Sequence, residues 1–411
     1  MSTKRILVIA WFYPPVNSSE GVVTYKLLEH SEHDYDVFTQ KKNNAAGYVQ
    51  TELKCGDNIR KIYCEKEGRQ AFRAAAVEYY ASHIGEYDIV MTRSMPEFDH
   101  SVGLDIKKIN PNVTWIASFG DPIAENPYYI IDNLRIRKHP GRGIKSTHLY
   151  KSLRWKYYAS RRLNKFQKEI LDIADIVICN NTYEVKYLME TSASRKLEKF
   201  VVLPHSFDEA LYPALSEAVT NANKPKIFSF VGHLDRLRTP RRLLEAVKRL
   251  RNDDPNLAGK VRFEFYGDME DGDIRFISEN CIDDVVEIKG SIDYLTSLKI
   301  MKKSDWLMHF DADISSVSPE NIFFAAKLAD YIGTGNQILG ITSRNGAACD
   351  IITGYGGIVC EDIPSDIYNY LYKIIYEESS NNINECFRQN FNAVSVGKDF
   401  DELISQEKEK G

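Results

Sequence analysis

Long hydrophobic runs are missing from this chain of 411 residues. The longest one near its start, Ile6 to Tyr13, follows directly on Lys4 and Arg5 and falls far short of the roughly 20 residues needed to cross a bilayer. It reads as a first strand, with neither a signal peptide nor a membrane span, so a cytoplasmic protein is expected. Paired cysteines are missing too: the seven cysteines are odd in number, scattered, and contain no Cys-x-x-Cys. They read as reduced, mostly buried thiols. The nine histidines show no metal-ligand spacing such as His-x3-His, which leaves a metal site without support. No repeat of 20 to 50 residues is present, nor any low-complexity segment beyond the charged last six residues, so a solenoid is excluded. A net charge of only -5 argues against a general nucleic-acid binder.

What remains is an ordinary globular composition, 43% hydrophobic and 27% charged, on a chain too long for one core, since single cores rarely grow beyond about 250 residues. The run Arg5 to Trp11 reads as a strand buried on both faces of a parallel sheet. A Pro14-Pro15 turn and a helix from Gly21 to Glu29 follow. Further strands fit Tyr35 to Thr39, Ile59 to Tyr63, Asp88 to Thr92, Thr114 to Ser118 and Ile176 to Cys179, most of them preceded by helical patterns. Small and polar residues between Ser216 and Pro225 mark a linker. The alternation then restarts, with strands at Lys226 to Val231, Val261 to Tyr266, Val285 to Lys289, Trp306 to Asp311, Ile338 to Thr342 and Gly357 to Val359. Helices fit Arg241 to Arg251, Leu295 to Lys302 and Pro319 to Tyr331. The fold class is therefore α/β, with two Rossmann-like doubly wound domains, residues 1–206 and 207–382. A helical tail, 383–411, is expected to pack back on one of them.

In open α/β sheets ligands bind beyond the carboxyl ends of the strands. After the strand ending at Val231 come Gly232, His233, Arg236 and Arg238, a glycine turn followed by cations. Gly232 permits close backbone approach to a ligand, and Arg238 offers a planar fork suited to phosphate oxygens. Ser318-Pro319-Glu320-Asn321 has the cap residue, Pro and acid of a helix start. Such a start presents a positive pole to an anion, and Asp330, ten residues on, would lie about 15 Å further along the axis, near the reach of a diphosphate plus a ribose.

These segments, with Tyr266-Gly267-Asp268, Ile288-Lys-Gly-Ser291 and Ala326 to Gly340, resemble the donor-domain landmarks of retaining glycosyltransferases of the family 4 type, also called glycosyl transferases group 1. In the first half Pro14-Pro15 with Glu20-Gly21-Val22, Asp88 to Pro96, Trp115 to Pro122, Ala174 to Ile178 and Val202 to His205 resemble that family as well. The resemblance implies a GT-B architecture, two Rossmann-like domains facing across a cleft, with a nucleotide-sugar donor such as a UDP-, GDP- or ADP-sugar on the C-terminal domain. It implies a glycan or lipid-linked acceptor on the N-terminal one. The family's diphosphate-binding arginine and lysine fall on His233 and Arg238, with Arg236 as a substitute for the first. Of its Glu-x7-Glu pair the second member falls on Asp330, for the ribose hydroxyls, and the first on Ile322, with Glu320 or Asn321 as neighbours able to take its place. Gly21 stands in the family's glycine loop, and Asp121 stands where many members carry a histidine at the reaction centre, or else caps the next helix. The resemblance implies transfer with retention and without a metal or other cofactor, in surface glycan or glycolipid synthesis.

Three other features bear on function. Asp311-Ala312-Asp313 matches the metal grip of a different glycosyltransferase fold but lies in the wrong domain for it. Between Arg135 and Lys168 there are twelve Lys or Arg and no Asp or Glu, interleaved with aromatics. That stretch offers peripheral contact with an anionic inner membrane face, or is merely a solvated helix face. The missing Glu at 322 and the His at 233 motivate a rival reading, a catalytically silent GT-B partner subunit or glycan-binding protein, ahead of a sugar-nucleotide epimerase.

Overall fold

The computed structural model describes residues 3–16, 18–41, 51–135, 160–192, 197–214, 224–376 and 382–406. The chain divides into two compact units, with breaks between His205 and Ser206 and again between Asn392 and Ala393. The tail is thus shared: the short helix Glu385–Gln389 stays with the second unit, and the helix Ala393–Gln406 belongs to the first.

In the first unit seven strands, β1 (Arg5–Ile9), β2 (Asp34–Gln40), β3 (Ile59–Cys64), β4 (Ile89–Arg93), β5 (Thr114–Ser118), β6 (Ile176–Cys179) and β7 (Phe200–Val202), form one sheet in the order β3-β2-β1-β4-β5-β6-β7. Every pairing is parallel. Ile6, Leu7, Val8 and Ile9 of β1 are all buried, which is why that strand is continuously apolar rather than alternating. β7, which is not among the strands expected above, has Phe200 and Val201 half-buried and Val202 exposed.

Val396, Phe400 and Ile404 of the helix Ala393–Gln406 are buried, and Asp401 accepts hydrogen bonds from the Ser31 hydroxyl and the Glu32 amide. Gly397 makes this docking possible, because a Cβ there would lie 2.3 Å from the His30 carbonyl oxygen. Gly397→Leu is expected to lift the helix and lose the burial of three apolar side chains, a cost of at least about 3 kcal/mol in urea unfolding. An unchanged midpoint would show that the helix adds nothing to the first unit.

In the second unit six strands, β8 (Lys226–Val231), β9 (Val261–Tyr266), β10 (Val286–Ile288), β11 (Trp306–Phe310), β12 (Gln337–Ile341) and β13 (Ile358–Cys360), are all parallel, in the order β10-β9-β8-β11-β12-β13. The helix Arg241–Asp253 that follows β8 buries Leu243, Leu244, Val247 and Leu250 against the sheet and exposes Arg242, Lys248 and Arg249, the stripe expected of an amphipathic helix. It stops where the Asp254 carboxylate caps the next turn and Pro255 begins it.

This strand order places the topological switch between β8 and β11, where ligands of such sheets bind. The two strands pair only at Phe228 with Trp306 and Ser229 with Leu307. Beyond that the Tyr331 hydroxyl takes the place of a ladder partner, accepting from the Val231 amide at 3.0 Å. Tyr331 thereby seats the helix Ala326–Thr334 across the carboxyl ends of both strands.

Candidate functional site

The turn after β8 is built from backbone contacts that exclude side chains. Gly232 has φ +135° and its amide donates to the Tyr266 carbonyl at 2.8 Å; Gly267, after β9, has the same φ. A Cβ on Gly267 would lie 2.0 Å from the Gly232 carbonyl oxygen, so the two glycine turns are stacked on each other. The Asp235 carboxylate accepts from the amides of Leu237 and Arg238, and the Asp235 amide donates to the Arg238 carbonyl. That local knot fixes the backbone from which the Arg238 side chain extends.

Two cationic groups converge on this turn. Arg238 Nε is buried and has no hydrogen-bond partner. Lys327, in the first turn of the helix Ala326–Thr334, reaches back so that its Nζ lies 2.5 Å from where a Cβ on Gly232 would be, and 4.1 Å from the centre of the Phe230 ring. The residue as a whole is only partly buried, yet Nζ is closed off from solvent and likewise has no partner. Burial, and then the nearby Arg238, push the Lys327 amine well below the usual lysine range, with Asp311 and Asp235 acting against them. The helix has no side-chain cap at Ala325.

Asp311, just beyond β11, is fully committed. Its Oδ1 bonds His309 Nε2 at 2.9 Å and its Oδ2 accepts from the Thr342 hydroxyl at 2.5 Å. Burial raises its pKa, but His309, Thr342 and Arg238 outweigh that and hold it below the usual carboxylate range. Asp313 is exposed and holds the Ser315 hydroxyl and amide. Among the described residues no group of His, Cys, Asp and Glu is arranged to hold a metal ion.

The helix expected from Ser318 begins eight residues later. Ser318 Oγ donates to the Glu320 carbonyl instead of capping amides, and Asn321 is tied to the neighbouring loop through Asn345, Gly346 and Ala347. Those bonds draw residues 321–325 out straight, so the helix starts at Ala326. Ser318 therefore supplies no positive pole, and Asp330 stands four residues into the helix, about 6 Å along its axis rather than 15 Å. Asn321 is buried and donates to the Ala312 carbonyl, while Ile322, only 2% exposed, is a core residue. Glu320 is partly exposed beside them.

Asp330 is buried, accepts from the Tyr294 hydroxyl at 3.0 Å, and has its carbonyl bonded by Tyr212. A ribose at this carboxylate would share it with Tyr294. His233 is exposed and lies 3.7 Å from the equally exposed Asp268; Arg236 is exposed as well.

In the first unit Gly21 lies in the first turn of the helix Ser19–Glu29, where a Cβ would come within 3.2 Å of Tyr13 Cα. Glu20 beside it pairs with Arg93 at 2.7 Å, and Arg93 also donates to Ser118. Arg93 and Ser118 end β4 and β5, and Glu20 lies in the helix after β1, around the first sheet's own switch point. Asp121 does not cap the next helix, which begins at Pro127 with the Asn126 side chain accepting from the Tyr128 amide. It sits in the field of Glu184, whose carboxyl is raised well above its usual range by burial and then by Asp121. Of the basic stretch Arg135 to Lys168, residues 136–159 lie outside the described residues. Arg161, Arg162, Lys165 and Lys168 are exposed, and Lys168 pairs with Asp172.

No family model matches the chain. Over 210 residues it is 25% identical to a D-inositol 3-phosphate glycosyltransferase from Corynebacterium urealyticum, a match covering 49% of this chain and 48% of that one. The chain thus spans about half the length of this curated relative. Its structure is similar to that of sucrose-phosphate synthase from Thermosynechococcus elongatus, with a TM-score of 0.68 at 15% identity, covering 99% of this chain and 100% of that one. WaaG, a glycosyltransferase involved in lipopolysaccharide biosynthesis, gives 0.62 at 12% identity over 97% and 99%. The fold is GT-B. A UDP-N-acetylglucosamine 2-epimerase shares it, with a TM-score of 0.56 at 10% identity over 100% and 98%, so the GT-B fold alone does not choose between sugar transfer and epimerisation. Among the described residues no helix is long and apolar enough to cross a membrane.

Proposed function

We propose that this protein is a glycosyltransferase that moves a sugar from a nucleotide diphosphate sugar to a glycan or lipid-linked acceptor, with retention of configuration and without a metal. The observation that carries this reading is the pair of buried side-chain nitrogens without hydrogen-bond partners, Arg238 Nε and Lys327 Nζ, set around the Gly232 turn at the second sheet's switch point. Buried donors without partners are rare in folded proteins. Two of them beside a glycine turn and an uncapped helix start make a receptor for a strongly anionic, multidentate ligand.

The chemistry follows from where charge develops. Breaking the bond between an anomeric carbon and phosphate places negative charge on the departing diphosphate. Arg238, Lys327 and the amides at the start of the helix Ala326–Thr334 are the groups proposed to stabilise it. Asp330 is the group for the ribose hydroxyls, Asp121 the polar group on the acceptor side, and Glu320 a neighbour of the transferred sugar. The relative's inositol 3-phosphate chemistry supports a phosphorylated or polyhydroxylated acceptor.

A panel of UDP-, GDP- and ADP-sugars tests the proposal. Transfer or slow hydrolysis of one donor, releasing the nucleoside diphosphate, is expected. Nucleotide binding without turnover supports the silent partner instead, and release of an epimerised nucleotide sugar supports the epimerase. Failure of every nucleotide to bind removes the transferase reading.

A further inference from the structure

We propose that Lys327 is the second cation of the donor site, and that it takes up a proton as the diphosphate arrives. The inference rests on reading the site as a diphosphate grip and names a residue on which that grip depends. At His233, where a second fixed cation would stand, the side chain is an exposed imidazole turned toward Asp268. Lys327 approaches the same turn from the opposite side, out of the helix Ala326–Thr334.

Its surroundings leave its hydrogen bonding unmet. An ammonium has three donors to satisfy, and here none has a partner. The face of Phe230 and the backbone of Gly232 are its nearest company. The charged groups around it are Arg238 and Asp235 on the turn after β8 and Asp311 after β11. Asp311 is already engaged, one carboxylate oxygen with His309 and the other with Thr342, and makes no hydrogen bond to Nζ. A methionine would fill the same path over Phe230 without burying a donor. A lysine kept there costs stability unless something anionic completes it.

In the empty protein the crowding by Arg238 and the loss of solvent favour the neutral amine. A diphosphate oxygen reverses that balance. The Nζ lone pair takes a proton from water or buffer, the ligand keeps its own charge, and each diphosphate bound brings in up to one proton. Affinity therefore falls as pH rises, because the proton becomes scarcer. Stability of the empty protein runs the other way. The unfolded chain holds this lysine protonated up to about its ordinary value of 10.5 and the folded chain does not, so folding expels a proton and is penalised more as pH falls below 10.5.

The test is calorimetric titration of UDP, GDP and ADP into the full chain, in buffers of different ionisation enthalpy, for the wild type and Lys327→Met. The wild type is expected to take up a measurable fraction of a proton with the nucleotide it binds, and Lys327→Met to bind the same nucleotide about tenfold more weakly with that uptake gone. Without nucleotide, Lys327→Met is expected to melt higher than the wild type, with a margin that grows as pH is lowered. Equal affinity and equal proton uptake in the two proteins would overturn the inference while leaving the diphosphate grip standing. A lower melting temperature of the variant would overturn it too, since it would make Lys327 a structural support. A wild type that binds none of the three nucleotides would remove the inference together with the reading on which it rests.

Discussion

Arg238→Ala is expected to weaken binding of the nucleoside diphosphate about 100-fold and to leave the folded state intact. The magnitude follows from two charge-assisted hydrogen bonds from a guanidinium fork, each contributing about 1.5 kcal/mol or more. The fold should survive because the turn is held by its backbone. The Asp235 carboxylate accepts from the amides at 237 and 238, and the Asp235 amide bonds the carbonyl of 238. None of these bonds uses the Arg238 side chain, whose Nε has no partner to lose. Arg238→Lys should fall between the two proteins, since a point charge replaces a planar fork. Calorimetry and a melting curve on the same samples read both effects. Unchanged affinity for every nucleotide would place the diphosphate elsewhere.

Gly267→Val should do the opposite and cost the fold itself. Its φ of +135° is one that a β-branched residue rarely adopts, and a Cβ would lie 2.0 Å from the Gly232 carbonyl oxygen, an atom of the backbone that cannot swing away. Strain and overpacking together suggest a loss of about 4 kcal/mol, with the Gly232 turn displaced and nucleotide binding lost as a consequence. Gly290→Ala is the natural comparison. There φ is +74° with nothing within 4 Å of the Cβ, so only the left-handed backbone counts, about 1 kcal/mol. Urea unfolding of the two variants separates close approach from backbone conformation. Equal losses would show that the stacking of the two glycine turns is unimportant.

Both sheets were legible in the sequence because parallel strands buried on two faces announce themselves as apolar runs. β8 and β11 lie within a residue of where those runs place them, and β1 ends two residues earlier. The short strand β7 was not among the expected strands, although Phe200-Val-Val-Leu203 is itself an apolar run. Around the donor site, local signals and tertiary contacts disagreed. Ser318-Pro319-Glu320 has the composition of a helix start, yet Asn321 is pulled onto the loop at Asn345 to Ala347, a contact that cannot be seen from Asn321 and its neighbours alone.

That one displacement hid Lys327. With a helix beginning at Pro319 the lysine falls mid-helix, in its third turn; with the helix beginning at Ala326 it occupies the first turn and reaches Gly232. The same shift leaves Asn321 and Ile322 buried ahead of the helix and brings Asp330 close to the helix start, beside Tyr294. Arg238 and Gly232 were readable because a glycine followed by a fork-shaped cation after a strand carries its chemistry in the residues themselves. Asp311, whose Asp-x-Asp spacing suits a metal but whose place in the chain argued against one, is a buried partner of His309 and Thr342.

The central claim is that the carboxyl end of β8 grips a diphosphate. A crystal structure of the full chain soaked with the nucleoside diphosphate that binds tests it most directly. The account predicts phosphate oxygens within hydrogen-bond distance of both the Arg238 guanidinium and Lys327 Nζ, against the Gly232 turn. A nucleotide seated elsewhere, with those two cations still unpartnered, would contradict it.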